Sequence, residues 1–447
     1  MMRKAANPRV SVEGSALRRV RQCKGIGLVL ALAGGIAACD PGIAPGTIGH
    51  VQGFAGIAAS DEPQSVLVAR DILSSGGTAA DAAIAMYFAM SVTLPSRAGL
   101  GGYGACLVHQ PKDRIRKWEP QDEALIFVPQ SPAAAAVPRG LFALHAKYGR
   151  LRWEALVGPA EGMARLGTPV SRALASDIAL AGQALQSEAD MRKIFLKSDG
   201  NLAGEGDVIR NVGLASFIAR LRARGPADLY SGQLAKEMSA SAAEIGIALT
   251  PEEMRNVKVP FTATHWVRFG NLTAHFPTSD GGGDLSRMWK QIVDKQTALP
   301  PASSEPSSGA GFMVADRDGQ AVVCATSMGS LFGARKMVPN VGILMVSGPA
   351  PKAGLAPMMV VAHNVTEFRY ALTSAGGASG ASGLVTAAAK AMIDEQPLAQ
   401  SVSLAAGRRV LAIGCSKGLP PSPESCQVGV DPEGFGYGMG VGLKTKD

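Results

Sequence analysis

Between Pro306 and Val323 the chain passes from a loop of small residues into Phe312-Met313-Val314-Ala315-Asp316, turns at Asp318-Gly319 and leaves through Ala321-Val322-Val323. Two apolar runs of strand length joined by an Asp-Gly turn read as a hairpin. Its first strand reads as buried, and the whole is the pattern of a β-rich core. Two helices are legible upstream. After Asp61-Glu62-Pro63, the residues Ser65, Val66, Val68, Ala69, Ile72 and Leu73 recur at helical spacing and stop at Ser75-Gly76-Gly77, where a glycine pair suits a helix end. Thr78 to about Val92 reads as a second helix, rich in Ala, whose small side chains permit close packing on both faces. With 447 residues and 47% hydrophobic content, the chain can bury one large domain or two interlocked layers.

Composition removes several function classes. The net charge of +8 suggests an acidic partner, but Arg3, Lys4, Arg9, Arg18, Arg19, Arg21 and Lys24 against the single Glu13 place six of those eight charges in the first 38 residues. The remainder is close to neutral, and no nucleic-acid partner is expected. Gly99-Leu100-Gly101-Gly102-Tyr103-Gly104 satisfies the dinucleotide glycine pattern. That site needs a strand before the glycines and a helix after them, so that the helix N-terminus meets the pyrophosphate. Here a helix precedes and the extended run Ala105-Cys106-Leu107-Val108 follows, so no nucleotide cofactor is expected. The six histidines (His50, His109, His145, His265, His275, His363) are scattered singly, and no Cys/His spacing suits zinc. No metal or other cofactor is expected.

The amino-terminal segment has its own logic. Arg18, Arg19, Arg21 and Lys24 precede an apolar run from Gly25 to Ala38, which is too short to span a bilayer and suits a signal peptide covering residues 1–38. It ends Ile36-Ala37-Ala38-Cys39, which resembles a bacterial lipobox. Lipidation of Cys39 is expected, with residues 39–60 as a Gly, Ala and Pro rich tether and the protein anchored through the lipid at the periplasmic face of a membrane. Of the other cysteines, Cys23 leaves with the leader, while Cys106 and Cys324 lie in strand-like apolar runs and read as buried inert thiols. Cys415 and Cys426 flank the Pro-rich loop Leu419-Pro420-Pro421-Ser422-Pro423, and an exported compartment permits them to pair as a disulfide.

Gly76-Gly77-x-x-x-Asp81-Ala82-Ala83, Pro95 and Gly99-Leu100-Gly101-Gly102 resemble the amino-terminal signature of γ-glutamyltransferases. The likeness continues through Val137-Pro138, Tyr148-Gly149, Pro169-Val170-Ser171-Arg172, Leu202 to Asp207 and Thr278-Ser279-Asp280-Gly281-Gly282. It extends into the hairpin, Val341-Gly342-Ile343-Leu344 and Pro357 to Gly377. The resemblance implies an α+β fold, the αββα sandwich of N-terminal-nucleophile hydrolases, in which the precursor cuts itself and frees a Thr at the start of a central strand. That Thr is the nucleophile and its own α-amino group the base. It also implies a large-subunit-like part, residues 61–308, and a small-subunit-like part of the same sandwich, residues 309–447. Lys295 to Gly311 reads as a loop rich in Pro, Ser and Ala, standing where the family has a longer helical segment.

The chemistry that the resemblance implies is absent at the matching positions. The family's Thr-Thr-His falls on Gly309, Ala310 and Gly311, and a glycine has no oxygen to attack with. The Thr-x-Asn element falls on Ser327-Met328-Gly329, the substrate-holding Arg on Gln121 or its neighbours, and the paired serines on Ala353 and Gly354. The acidic pair falls within Val346-Ser347-Gly348-Pro349. Gly376-Gly377 survives as a possible pair of oxyanion donors. The expectation is a family member without catalysis that binds a protein or a small γ-glutamyl-like ligand. The alternative is an active γ-glutamyl transferase or amide hydrolase with Ser308, or its neighbour Ser307, as autoprocessing nucleophile.

Overall fold

The small-residue segment before Asp61 does not form the expected tether throughout. Gly56-Ile57-Ala58-Ala59-Ser60 is a fully buried strand, β1 (Gly56–Ser60), because its partners on either side supply hydrogen bonds that a five-residue run cannot announce by itself. The computed structural model describes residues 51–111, 121–128, 134–295, 308–348, 355, 357–374 and 377–442. The signal peptide, Cys39 and the first part of the tether lie outside them.

After β1 come α1 (Pro63–Ser74), α2 (Ala79–Thr93), β2 (Tyr103–Gln110) and β3 (Gln121–Phe127). The helical stretch holds α3 (Val137–Tyr148), α4 (Trp153–Leu166), β4 (Thr168–Pro169), α5 (Arg172–Ser187), α6 (Ala189–Phe195) and β5 (Val208–Ile209). It continues with α7 (Val212–Arg224), α8 (Ala227–Ser231), α9 (Gln233–Glu244) and α10 (Pro251–Asn256). Then follow β6 (Phe261–Ala263), β7 (His265–Phe269), β8 (Leu272–Phe276) and α11 (Asp280–Val293). The hairpin is β9 (Gly309–Asp316) and β10 (Ala321–Ser327), so the strand begins two residues before the expected end of the loop. Last come β11 (Met358–Ala362), β12 (Glu367–Ser374), α12 (Gly377–Met392), α13 (Leu398–Ser403), β13 (Val410–Leu419), β14 (Cys426–Val430) and β15 (Tyr437–Val441).

Strand periodicity turns this order into layers. One sheet runs β15-β1-β9-β10-β2-β3-β6 and the other β14-β13-β12-β11-β8-β7. Side chains alternate across each strand. Phe312, Val314, Val322, Cys324, Cys106 and Val108 therefore point into the core shared with α1 and α2. Met313, Ala315, Val323 and Leu107 point the other way and meet Met359, Val361, Phe368 and Leu411 of the second sheet. The far face of that sheet is covered by Trp289, Leu384, Val385 and Ala388 of α11 and α12. The result is helix, sheet, sheet, helix, the αββα sandwich. Both sheets join a block of strands from residues 61–308 (β2-β3-β6 in one, β8-β7 in the other) to a block from residues 309–447, and Gly49–Asp447 form a single unit.

Helix α2 explains how tightly the first helical layer sits. All of its residues from Ala79 to Thr93 are buried, and its start is fixed by a capping box in which Thr78 and Asp81 satisfy each other's backbone N–H. Asp316 at the end of β9 accepts the Ala79 N–H at 2.8 Å, joining the helix start to the central strand.

Cys106 and Cys324 are not free thiols. They face each other directly across β2 and β10 and form a disulfide, S–S 2.00 Å, on the helix side of the central sheet. Each residue alone reads as a small hydrophobe; the pairing comes from a register between strands 218 residues apart. Cys415 and Cys426 also form a disulfide, with neighbouring strands β13 and β14 placing them opposite each other.

Candidate active site

The end of the sandwich where β9 begins is defined by register. Gly309 pairs with Ser327 at the end of β10, and Ser327 pairs with Tyr103 at the start of β2. In the second sheet, Thr373 near the end of β12 lies over Gly311 so closely that a Cβ there would stand 2.3 Å from its Cγ2. Gly311 is thus a contact between sheets with no room for a side chain.

Ser308 precedes β9. Its Oγ is 3.1 Å from the Ser327 Oγ, which also lies 3.3 Å from the Ser308 carbonyl oxygen and accepts the Gly329 N–H at 3.0 Å. The Tyr103 hydroxyl is buried beside Ser327 without a hydrogen bond of normal geometry, and burial raises its pKa. Ser308 and Ser327 are therefore brought together as expected candidates. Among the described residues neither is bonded to an imidazole, a carboxylate or an amine.

Charged residues hold the backbone at the start of β9. Arg97 donates to the Gly309 carbonyl at 3.2 Å and grips Asp177 through Nε at 2.7 Å and Nη2 at 2.6 Å, while Ser96 Oγ donates to the same carboxylate at 2.6 Å. The pair is buried, with side chains 3% and 0% exposed. Asp61, just past β1, accepts the Gly311 N–H at 2.6 Å and returns its own N–H to the Gly311 carbonyl at 3.0 Å. Burial raises its pKa to about 6 against the opposing pull of the Gly311 N–H, Arg409 and Arg97. Glu62, bonded by Ser171 Oγ at 2.7 Å, is raised to about 7, again by burial. Asp61 stands where the likeness to the family begins, but nothing local in the sequence marks its carboxylate or Arg97 as part of a site. A lone Arg amid the apolar and small residues after α2 was the available signal.

The remaining expected positions fall differently. Gln121 is not at this end: β2 and β3 are antiparallel, with Gly104 opposite Phe127 and Gln110 opposite Gln121, so Gln121 stands at the opposite end of the strands. Gly377 opens α12, whereas Gly376, Ala353, Gly354, Pro349 and Ser307 lie outside the described residues. The histidines are not all solitary. His109 Nδ1 is 2.7 Å from Asp122 Oδ1, and His275 Nε2 is 3.7 Å from Oδ2 of the same carboxylate.

Two sheets stacked between helical layers, with a central strand opening beside Ser308, define an N-terminal-nucleophile hydrolase fold. The γ-glutamyltranspeptidase family model matches residues 65–306, and the chain belongs to that family. Glutathione hydrolase 3 of Arabidopsis thaliana is 27% identical over 282 residues, covering 59% of this chain and 44% of the relative. The glutathione hydrolase proenzyme of Bacillus subtilis is 28% identical over 262 residues, 54% of this chain and 44% of the relative. The chain thus spans less than half the length of these relatives. The cephalosporin acylase of Bacillus halodurans shares the fold with a TM-score of 0.69 at 16% identity, over 87% of this chain and 96% of that one.

The buried carboxylates make stability depend on pH. Asp316 rises from 3.8 to about 7 through burial, alongside Asp61 from 3.8 to about 6 and Glu62 from 4.5 to about 7. Each binds its proton more tightly folded than unfolded, so its contribution is complete below about pH 4 and is lost as pH rises through 6 to 7. His275, lowered by burial, works in the opposite sense below its ordinary value and offsets part of this. Denaturant midpoints are expected to be higher at pH 5 than at pH 8, with Glu62→Gln flattening the slope. A midpoint that rises steadily from pH 5 to pH 8 would contradict this.

Proposed function

We propose that this chain is a non-catalytic member of its family that binds a small ligand at the end of the sandwich where β9 begins. In this reading it sits at the periplasmic face of a bacterial membrane, held by a lipid on Cys39 after removal of the signal peptide. The observation that carries the reading is the start of β9. Gly309, Ala310 and Gly311 present no hydroxyl there, and the nearby hydroxyls of Ser308 and Ser327 bond only each other and the backbone among the described residues. A hydroxyl is a weak nucleophile until a base removes its proton. In an uncut chain the amine that serves as base in this fold is an amide.

A second reading keeps Ser308 as an autoprocessing nucleophile in an active transferase or hydrolase. Its place directly before β9 favours it. Against it stands the alternation of side chains along a strand, by which a shift of one residue aims a side chain at the opposite face. The curated relatives are named glutathione hydrolases, so glutathione is the substrate to offer. Glutamate release by the full chain is expected to equal that of Ser308→Ala and of buffer. Release that Ser308→Ala abolishes would overturn the non-catalytic reading.

A further inference from the structure

The end of the sandwich where β9 begins holds a guanidinium that the hydroxyl pair does not use. Arg409 immediately precedes β13, whose Val410 pairs with Ser374 at the end of β12. Thr373 of β12 lies over Gly311, so Arg409 stands at the same end as Ser308. Its backbone is left-handed, φ 52°, which a residue with a Cβ rarely adopts. Asp431 holds it there, with Oδ2 accepting the Arg409 N–H at 2.6 Å and Oδ1 accepting those of Gly407 at 3.1 Å and Glu433 at 2.9 Å.

The side chain is partly buried, and among the described residues it makes no hydrogen bond or ion pair. The acids whose charge it feels are Asp61, Asp177 and Asp431. Each is engaged elsewhere: Asp61 by the Gly311 N–H, Asp177 by Arg97 and Ser96, Asp431 by backbone N–H groups. A guanidinium is always charged and carries five donors in a planar fork. None of the Arg409 nitrogens is among the buried atoms without a partner, so the fork reaches solvent and is open to an anion that arrives from it.

We propose that Arg409 anchors a site for a small anionic ligand, whose carboxylate or phosphate group takes the guanidinium fork in a bidentate pair. The proposal rests on the ligand-binding reading above and names the chemistry of the ligand. The left-handed backbone held by Asp431 aims the side chain, and the engaged acids nearby leave its charge for a diffusing partner.

Calorimetric titration of the full chain with glutarate and with inorganic phosphate, using glutaramide as the uncharged control, tests it. Binding of at least one anion and none of glutaramide is expected, with affinity falling tenfold or more in Arg409→Gln and less in Arg409→Lys. Arg408→Gln, one residue away, is expected to bind as wild type, and circular dichroism checks that each variant is folded. Binding of glutarate alone assigns the group as a carboxylate, and binding of phosphate alone as a phosphate; either supports the site. No titration of folded wild type with either anion overturns it, as does equal binding by Arg409→Gln. Hydrolysis is not read here, so a chain that binds no anion and releases no glutamate loses this site while remaining non-catalytic.

Discussion

Replacing Asp177 with Ala is expected to lower the free energy of unfolding by about 3–5 kcal/mol, because the change leaves Arg97 charged, buried and without its carboxylate. Ser96 Oγ loses its acceptor in the same step. The damage reaches the candidate site directly, since Arg97 also donates to the Gly309 carbonyl at the start of β9. A buried ion pair and a pair of apolar residues of similar volume differ far less in stability than either differs from a broken pair. The double variant Arg97→Met/Asp177→Leu is therefore expected to recover most of the loss. Urea unfolding of the three chains provides the measurement, and a loss below about 1 kcal/mol for Asp177→Ala would mean that the pair is not desolvated in solution.

The second large effect concerns the Cys106–Cys324 disulfide. It closes a loop of more than 200 residues, and the chain-entropy account assigns about 5 kcal/mol to such a closure, against about 3 for the 11-residue separation of Cys415 and Cys426. The double variant Cys106→Ala/Cys324→Ala is expected to unfold at clearly lower denaturant than Cys415→Ala/Cys426→Ala, each compared with the oxidised parent. Equal losses would argue that native-state packing around the sulfurs, and not the restraint on the unfolded chain, sets their contribution.

What could be read in the sequence and what could not divide along a physical line. Helices α1 and α2 were legible to within a residue or two because their ends are encoded locally: Thr78 and Asp81 cap one, and Gly76-Gly77 follow the other. The hairpin of β9 and β10 was legible because its turn is an Asp-Gly pair between apolar runs. Strand β1 was not, since Gly56-Ile57-Ala58-Ala59-Ser60 becomes a strand through β15 and β9, whose residues come some 250 positions or more later. The Cys106–Cys324 pair was hidden for the same reason.

At the site, Ser308 and Ser327 could be named from the family likeness, and the structure brings them together. The misplacement of Gln121 shows the limit of that method, because an alignment over a short apolar strand says little about which end of it faces the site. Arg409 carried no signal at all. Its orientation depends on Asp431, reached only when β13 and β14 have folded back on each other.

The absence of self-cleavage is the central claim, and an intact mass of the purified full chain after prolonged incubation tests it most directly. The sample must be measured both oxidised and fully reduced, since Cys106 and Cys324 lie on opposite sides of Ser308 and would hold two cut halves together. The account predicts one uncut chain in both states. Two fragments that separate on reduction and divide between Ser307 and Gly309 would contradict it, and would return Ser308 to the role of nucleophile.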